Sequence, residues 1–342
     1  MKKLFLVSAV LFCSFISGYG QVTKVGTTVG NFLLIESGAR AVGMGGAYVS
    51  IAEGPSGMYW NPSGIARIDR FSAAFNHTKW LVDISYNFIG AVLPLGNAGS
   101  LGINAVFLSM DDMQITSETY PDGVENGYFS AGSYAFGASY GFNITNRFSL
   151  GFTAKFIGEY ISQSSATAIA FDVGTLYTTE LDNLTLGMSI TNYGTKMQMS
   201  GNDLLIQHDR YDQEGNNPNI NANLATEEFD LPLLFRFGVS WDALKGAGRS
   251  NLILAMDAQV PNNNYKSLNG GLEYTYNNMF SLRAGYNTWY SDYSKNKNDL
   301  SGLSLGLGIK YDIDFTSMNF DYAYRDYGVL KDIHMFAIEF MF

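Results

Sequence analysis

The residues in this chain that could do chemistry are few and scattered. There are three histidines, His77, His208 and His334, and one cysteine, Cys13. Their spacing offers no metal-ligand pair, and no Ser-His-acid set falls on one face of a regular element. We therefore expect no catalytic residues, no bound metal and no cofactor. The stretch from Gly201 to Asp230 is rich in oxygen ligands, with Asp203, Asp209, Asp212, Glu214, Glu227, Glu228 and Asp230, but it lacks an Asp-x-Asp-x-Asp-Gly run. It reads as a solvated loop whose length suits docking better than cation storage. The remaining charges are more regular. Lys155, Arg236, Arg283, Lys310 and Arg325 alternate with small or apolar neighbours, as do Glu159, Asp242, Asp257, Glu273, Asp312, Asp321 and Glu339. Side chains two apart share one face of a strand, so these are expected to meet as cross-strand ion pairs.

The elements that would carry them are strands. Residues 148–160 place Phe148, Leu150, Phe152, Ala154, Phe156 and Tyr160 on one face, with Ser149, Gly151, Thr153, Lys155 and Glu159 on the other. Residues 233–242 and 303–313 alternate in the same way. A soluble sandwich strand would not bury Lys, Arg and Asp at successive inward positions, but the lumen of a membrane barrel can. Such runs number about fourteen, near 70–79, 83–95, 100–111, 127–143, 148–161, 165–179, 184–197, 231–243, 251–260, 266–276, 279–290, 303–313, 318–326 and 333–342. The second and sixth alternate poorly. The last run ends with Phe336, Ile338, Phe340 and Phe342 on one face, a pattern similar to the recognition signal of outer-membrane barrels.

Connection lengths are one-sided. Short ones follow even-numbered strands, such as Gly96-Asn97-Ala98-Gly99 and Asn277-Asn278; the long ones, 112–126, 198–230 and 291–302, follow odd-numbered strands. Outer-membrane barrels have short periplasmic turns and longer outer loops. Trp80, Trp241, Trp289 and Tyr290 fall near strand ends, as candidates for aromatic girdles.

Composition agrees. Charged residues make up only 15% of the chain, against about a quarter in ordinary soluble proteins, and aromatics also reach 15%. The net charge of −10 argues against a nucleic-acid partner. Lys2 and Lys3 precede an apolar run from Leu4 to Ile16, shorter than the roughly 20 residues of a transmembrane helix. With Gly18-Tyr19-Gly20 it reads as a signal peptide over residues 1–20, cleaved near Gly20. The expected address is the outer membrane of a Gram-negative bacterium, with membrane lipid and the barrel-assembly machinery as partners.

Residues 21–69 do not alternate. Gly, Ala and Ser are dense there, and Pro55-Ser56-Gly57 and Asn61-Pro62 are turn signals. Placed before a barrel of residues 70–342, this segment is expected to fold back into the lumen as a hatch. Gly38-Ala39-Arg40-Ala41-Val42-Gly43-Met44-Gly45-Gly46-Ala47-Tyr48, followed by Tyr59-Trp60-Asn61-Pro62-Ser63-Gly64-Ile65, resembles the N-terminal signature of the PorV/PorQ family. That family is in turn similar to the FadL family of long-chain fatty-acid transporters. Ser63 and Ile65 stand where the family pattern has Ala and Leu. The resemblance implies a fourteen-stranded outer-membrane barrel with an N-terminal hatch. Arg40, Gly43, Gly45, Gly46, Trp60, Asn61, Pro62 and Gly64 are its structural motif. For some members it also implies a role in type IX secretion.

Two functions remain open on sequence. One is a non-enzymatic scaffold or partner subunit in protein export, holding another protein through loops 112–126, 198–230 and 291–302. The other is a passive channel for hydrophobic molecules such as fatty acids. Apolar inward positions would favour the channel. The inward lists are mainly small or charged, with patches at Ile89, Leu93, Leu234 and Met341, which favours the export reading.

If the aromatic terminal strand directs assembly, removing Phe340 to Phe342 will sharply lower the amount of membrane-inserted protein. Unchanged insertion, read by heat-modifiable gel migration of outer-membrane fractions, would exclude that role.

Overall fold

The computed structural model describes residues 25–124, 127–181, 183–209, 219–244, 248–289, 302–328 and 331–342. The expected signal peptide, Cys13 and nearly all of the 291–302 connection lie outside these residues. Among the described residues, fourteen strands form one closed antiparallel sheet. They are β1 (Ser72–Lys79), β2 (Ser85–Pro94), β3 (Ser100–Ser109), β4 (Ala131–Thr145), β5 (Phe148–Ile161), β6 (Ser164–Thr178) and β7 (Leu184–Gly194). Then come β8 (Leu234–Asp242), β9 (Ser250–Pro261), β10 (Ser267–Tyr276), β11 (Phe280–Trp289), β12 (Gly302–Ile313), β13 (Thr316–Asp326) and β14 (Asp332–Met341).

Each strand pairs with its sequence neighbours, and β14 returns to β1 with Met341 opposite Ser72 and His334 opposite Lys79. The Phe342 N–H donates to the Phe71 carbonyl at 2.8 Å, and their rings lie 6.0 Å apart. Closure leaves no sheet edge whose backbone groups would face lipid unpaired. The turn between β10 and β11 places Asn277 and Asn278 at φ 54° and 51°, a left-handed geometry that asparagine tolerates and tight hairpins require. The long connections after β3 and β7 carry small hairpins of their own, Met113–Gln114 with Tyr128–Phe129 and Leu205–His208 with Ile220–Asn223.

The alternation sorts the wall into two faces. Phe152, Phe156, Phe320, Leu305, Leu307 and Ile309 are exposed on the outside, while Thr153, Ser189, Ser304 and Arg236 are buried inside. An apolar exterior on a closed barrel is a lipid-facing surface. Trp80 packs edge-on against Tyr327 at the outer rim, and Trp241 stands exposed at the periplasmic end of β8, both suited to the interfaces.

One face assignment is corrected. Ile89 and Leu93 point outward, 49% and 50% exposed, and it is Tyr86, Phe88 and Val92 that enter the lumen, each almost fully buried. Because β2 is apolar on both faces, its period-two signal is weak. β6 is apolar outward at Ile169, Phe171 and Val173, but inward it carries Ala166, Ala168 and Ala170, small residues that blur the contrast. Its pairing with β7 also slips between Phe171 and Val173. There the Asp172 carboxylate accepts from the Asn192 N–H at 2.8 Å and pairs with Lys155 at 2.7 Å.

An arginine on the lipid face near the bilayer midplane should cost about 2–4 kcal/mol, whereas one that projects into a wet lumen should not. Phe152→Arg and Leu305→Arg will therefore lose folded barrel in urea titrations, and Ser281→Arg, at an inward site lining a polar vestibule, will remain close to the parent. Equal losses would mean that the faces are reversed.

Candidate functional site

A segment that precedes β1 runs through the lumen. It is built of short pieces: a 3-10 turn Asn31–Leu34, helix α1 (Ala39–Gly43), helix α2 (Gly57–Trp60) and a second 3-10 turn Pro62–Arg67. Helices this short are not stable alone, so their conformation depends on the wall around them. The wall receives them at glycines. A Cβ at Gly306 of β12 would lie 3.1 Å from the Cα of Gly43, and one at Gly45 would lie 2.6 Å from the backbone nitrogen of Tyr286. Gly45 and Gly46 also have φ of 68° and 79°, where other residues would be strained. Gly187 of β7 is covered by Val49-Ser50, Gly174 of β6 by Asn61, and Gly151 of β5 by Pro62-Ser63. At Gly306, Gly187 and Gly151 backbone approaches backbone, and at Gly174 the Asn61 side chain and the Pro62 ring take the space, which explains the glycines in the wall.

Polar contacts fix the segment further. The Asp257 carboxylate of β9 accepts from the N–H groups of Tyr48 and Val49, both at 2.7 Å. Trp60 donates its indole N–H to the Ser37 carbonyl at 2.7 Å, and Ser189 of β7 donates to the Trp60 carbonyl at 2.8 Å. Asn61 caps the second 3-10 turn, accepting from the Ser63 N–H and donating to the carbonyls of Val49 and Thr175. Pro62, at the first position of that turn, has no N–H to satisfy. Arg236 stacks over the rings of Tyr59 and Trp60, 5.2 and 5.1 Å from their centroids.

Arg40 makes the ionic attachment. It pairs with Glu53 at 3.0 Å and with Glu273 of β10 at 2.7 Å; Glu273 also pairs with Arg283, which reaches Asp321. Burial works against the Arg40 charge, but Glu273, Tyr48 and Glu53 together outweigh it and raise its pKa well above the ordinary arginine value. Glu36 does not meet Arg40; it pairs with Arg325 at 2.6 Å. Burial also lifts the hydroxyl pKa of Tyr48 and of Tyr59 above the usual tyrosine range.

The lumen is divided by chemistry. On the β2–β6 side, Tyr86, Phe88, Val92, Val106, Ala135, Ile157, Ala166, Ala168 and Ala170 form one apolar cluster with Phe32, Leu33, Met58 and Ile65 of the segment. On the β9–β14 side the wall is ionic and surrounds a periplasmic vestibule of about 400 Å³, lined by Arg40, Glu53, Glu273, Lys310 and Glu339 among others. The sequence reading found the ionic sector and missed the apolar one, whose signal was the double-sided hydrophobicity of residues 86–93.

The histidines do not converge. His77 bonds Asn87 and His334 bonds Tyr322, both on the outer wall, and His208 lies in the outer hairpin. Among the described residues no group of three or more His, Cys, Asp or Glu is placed to hold a metal ion. Asp203 of the acidic loop instead accepts from the Gln163 N–H and the Ser164 hydroxyl at the β5–β6 turn.

Neither a protein-family model nor a curated protein sequence matches the chain. Solved structures do. A Pseudomonas aeruginosa FadL homologue superposes over 90% of this chain and 98% of its own, with a TM-score of 0.54 and 13% identity. The Ralstonia pickettii toluene transporter TbuX covers 91% and 98%, at a TM-score of 0.54 and 11% identity. The Pseudomonas putida toluene transporter TodX covers 89% and 96%, at 0.53 and 12%. At these identities the likeness establishes the fold: the chain has the closed fourteen-stranded barrel fold seen in FadL-like outer-membrane proteins.

Proposed function

We propose that this barrel is a passive channel for hydrophobic small molecules, with residues 21–69 acting as a hatch that must shift to admit them. The observation that carries the reading is the continuous apolar sector inside the lumen. A barrel wall needs apolar residues toward lipid, not toward its interior, and an interior serving only as a scaffold could be filled by ion pairs alone. Here Tyr86, Phe88, Val92, Val106 and Ile157 line one side from the outer half of the strands to the periplasmic half. A molecule with no charge would meet favourable surface along that side and an unfavourable ionic wall on the other. The FadL homologue and the two toluene transporters add support of a coarser kind, through the shared fold.

The export-partner reading rests on the likeness of the 38–65 motif to the PorV/PorQ signature and on the long outer loops. The motif residues are engaged by the barrel wall: Gly43 and Gly45 against β10–β12, Trp60 and Asn61 against β6–β7, and Pro62 against β5. Nothing in those contacts calls for cargo, so the channel reading is preferred.

Cells producing the barrel should take up radiolabelled naphthalene faster than matched cells without it, while purified protein in planar bilayers conducts few ions, because the segment fills the lumen. Uptake no faster than in barrel-free cells would overturn the channel. High ion conductance of the intact protein would overturn a closed hatch.

A further inference from the structure

The glycine positions of the wall differ in what occupies them. On β10–β12 they receive the backbone of Gly43 to Gly45, on β7 that of Val49-Ser50, and on β5–β6 Asn61, Pro62 and Ser63. Such sites cannot empty unless the whole segment moves. Gly90 and Gly102 on the neighbouring strands β2 and β3 are different. A Cβ at Gly102 would collide with the Met58 sulfur, with Ile65 Cδ1 3.3 Å away, and one at Gly90 would lie 3.0 Å from the Phe88 ring and 3.2 Å from the Met58 methyl carbon. Met58 is 1% exposed. Between the Phe88 ring and Ile65, the recess is filled by the end of one flexible side chain, that of Met58.

Its position within the apolar sector gives this meaning. Toward the outer face the same two strands present bulky groups, Tyr86 and Phe88 on β2 and Val106 and Leu108 on β3. Below them the wall is pared back to Gly90 and Gly102, with Ile65 and Val92 continuing the apolar surface toward the periplasm. Met58 occupies the gap between these two halves. Methionine is unbranched and reorients at little cost, so it can leave a site without unfolding its helix. The one polar contact there is weak, with the Asn104 amide nitrogen 3.8 Å from the thioether sulfur.

Building on the channel reading, we infer that the recess formed by Gly90, Gly102, Phe88 and Ile65 is a subsite for a compact, uncharged apolar molecule, and that Met58 occupies it in the ligand's absence. Entry exchanges one apolar occupant for another, so no polar group is stripped of a partner beyond the weak Asn104 contact. A charged head is disfavoured because the side chains placed about the recess, Phe88, Ile65, Ser139 and Asn104, are uncharged. Met58 is thus a specificity-determining side chain, setting the size of molecule that passes between the outer and periplasmic halves of the sector.

Variants of the full chain test this through naphthalene uptake, compared at equal amounts of folded barrel. Met58→Ala opens the recess and should raise uptake severalfold; Met58→Leu keeps its bulk and should match the parent. Gly102→Ala places a methyl group in the seat and should lower uptake, which decides the matter if Met58→Ala fails to fold. Met335→Ala deletes an equally buried methionine, packed with Ala39, Val42 and Ala323 on the ionic side, and should leave the rate unchanged. A parent that transports, with Met58→Ala and Gly102→Ala at its rate, would overturn the subsite and spare the channel. A rise in Met335→Ala equal to that in Met58→Ala would also overturn it, since general loosening of the segment would then suffice. A parent no faster than barrel-free cells would remove the channel and the subsite together.

Discussion

Lipid offers no hydrogen-bond partners, and this constraint governs the rest of the molecule. Every N–H and C=O of a membrane-crossing strand must find its partner in another strand, so the sheet has to close. The pairing of β14 with β1, carried to the Phe342–Phe71 bond, achieves this. Closure then dictates a side-chain period of two around the circumference, apolar outward and free to vary inward. What fills the interior is a separate problem. A fourteen-stranded barrel encloses more space than its own inward side chains occupy, particularly where those are Gly, Ser and Ala. A folded segment of the same chain occupies much of the remainder.

That segment has almost no structure of its own making. Its helices are one turn long, and its fixed points are contacts with residues more than a hundred positions away, such as Arg40 with Glu273, Tyr48 and Val49 with Asp257, and Asn61 with Thr175. Buried ion pairs contribute little net stability, because desolvation offsets much of the attraction, but breaking one partner away is costly. The Arg40–Glu273–Arg283–Asp321 chain therefore specifies where the segment sits more than how firmly the barrel holds together. Asp257 acts in the same sense, supplying a carboxylate to two backbone N–H groups that no short helix could satisfy.

Strand positions were legible in the sequence because alternation is a local signal. β5 and β12 could be placed within a residue, and β8 within three, from their own side chains. β2 was placed correctly but turned the wrong way, since Ile89 and Leu93 outside and Tyr86, Phe88 and Val92 inside give no contrast from which to choose a face. The partners of the lumen charges were less legible. Glu36 lies four residues from Arg40 in the chain, and only the fold shows it beside Arg325, because proximity in sequence says little once a chain folds back through a barrel. The glycine contacts were invisible for a related reason. A glycine in a strand reports that something approaches closely, but not what approaches.

The orientation of β2 also decides how the lumen is read. With Ile89 and Leu93 inward, the apolar patches would be isolated among small and charged residues, and an interior of ion pairs would suit a scaffold. Turning the strand puts two aromatic rings and a valine beside Val106, Ile157 and the alanines of β6, and isolated patches become one surface that meets Phe32, Leu33, Met58 and Ile65. The segment consequently faces two different walls. Toward β9–β14 it is held by directional bonds whose geometry leaves little freedom, and Asn61, Ala66 and Arg67 are bonded to β4–β6 as well; toward β2 and β3 it is held by dispersion and burial, which tolerate sliding and exchange of neighbours. Movement that spares the ionic attachment and opens the apolar side costs the fewest specific bonds, so the chemistry of the wall itself directs where a passage would form.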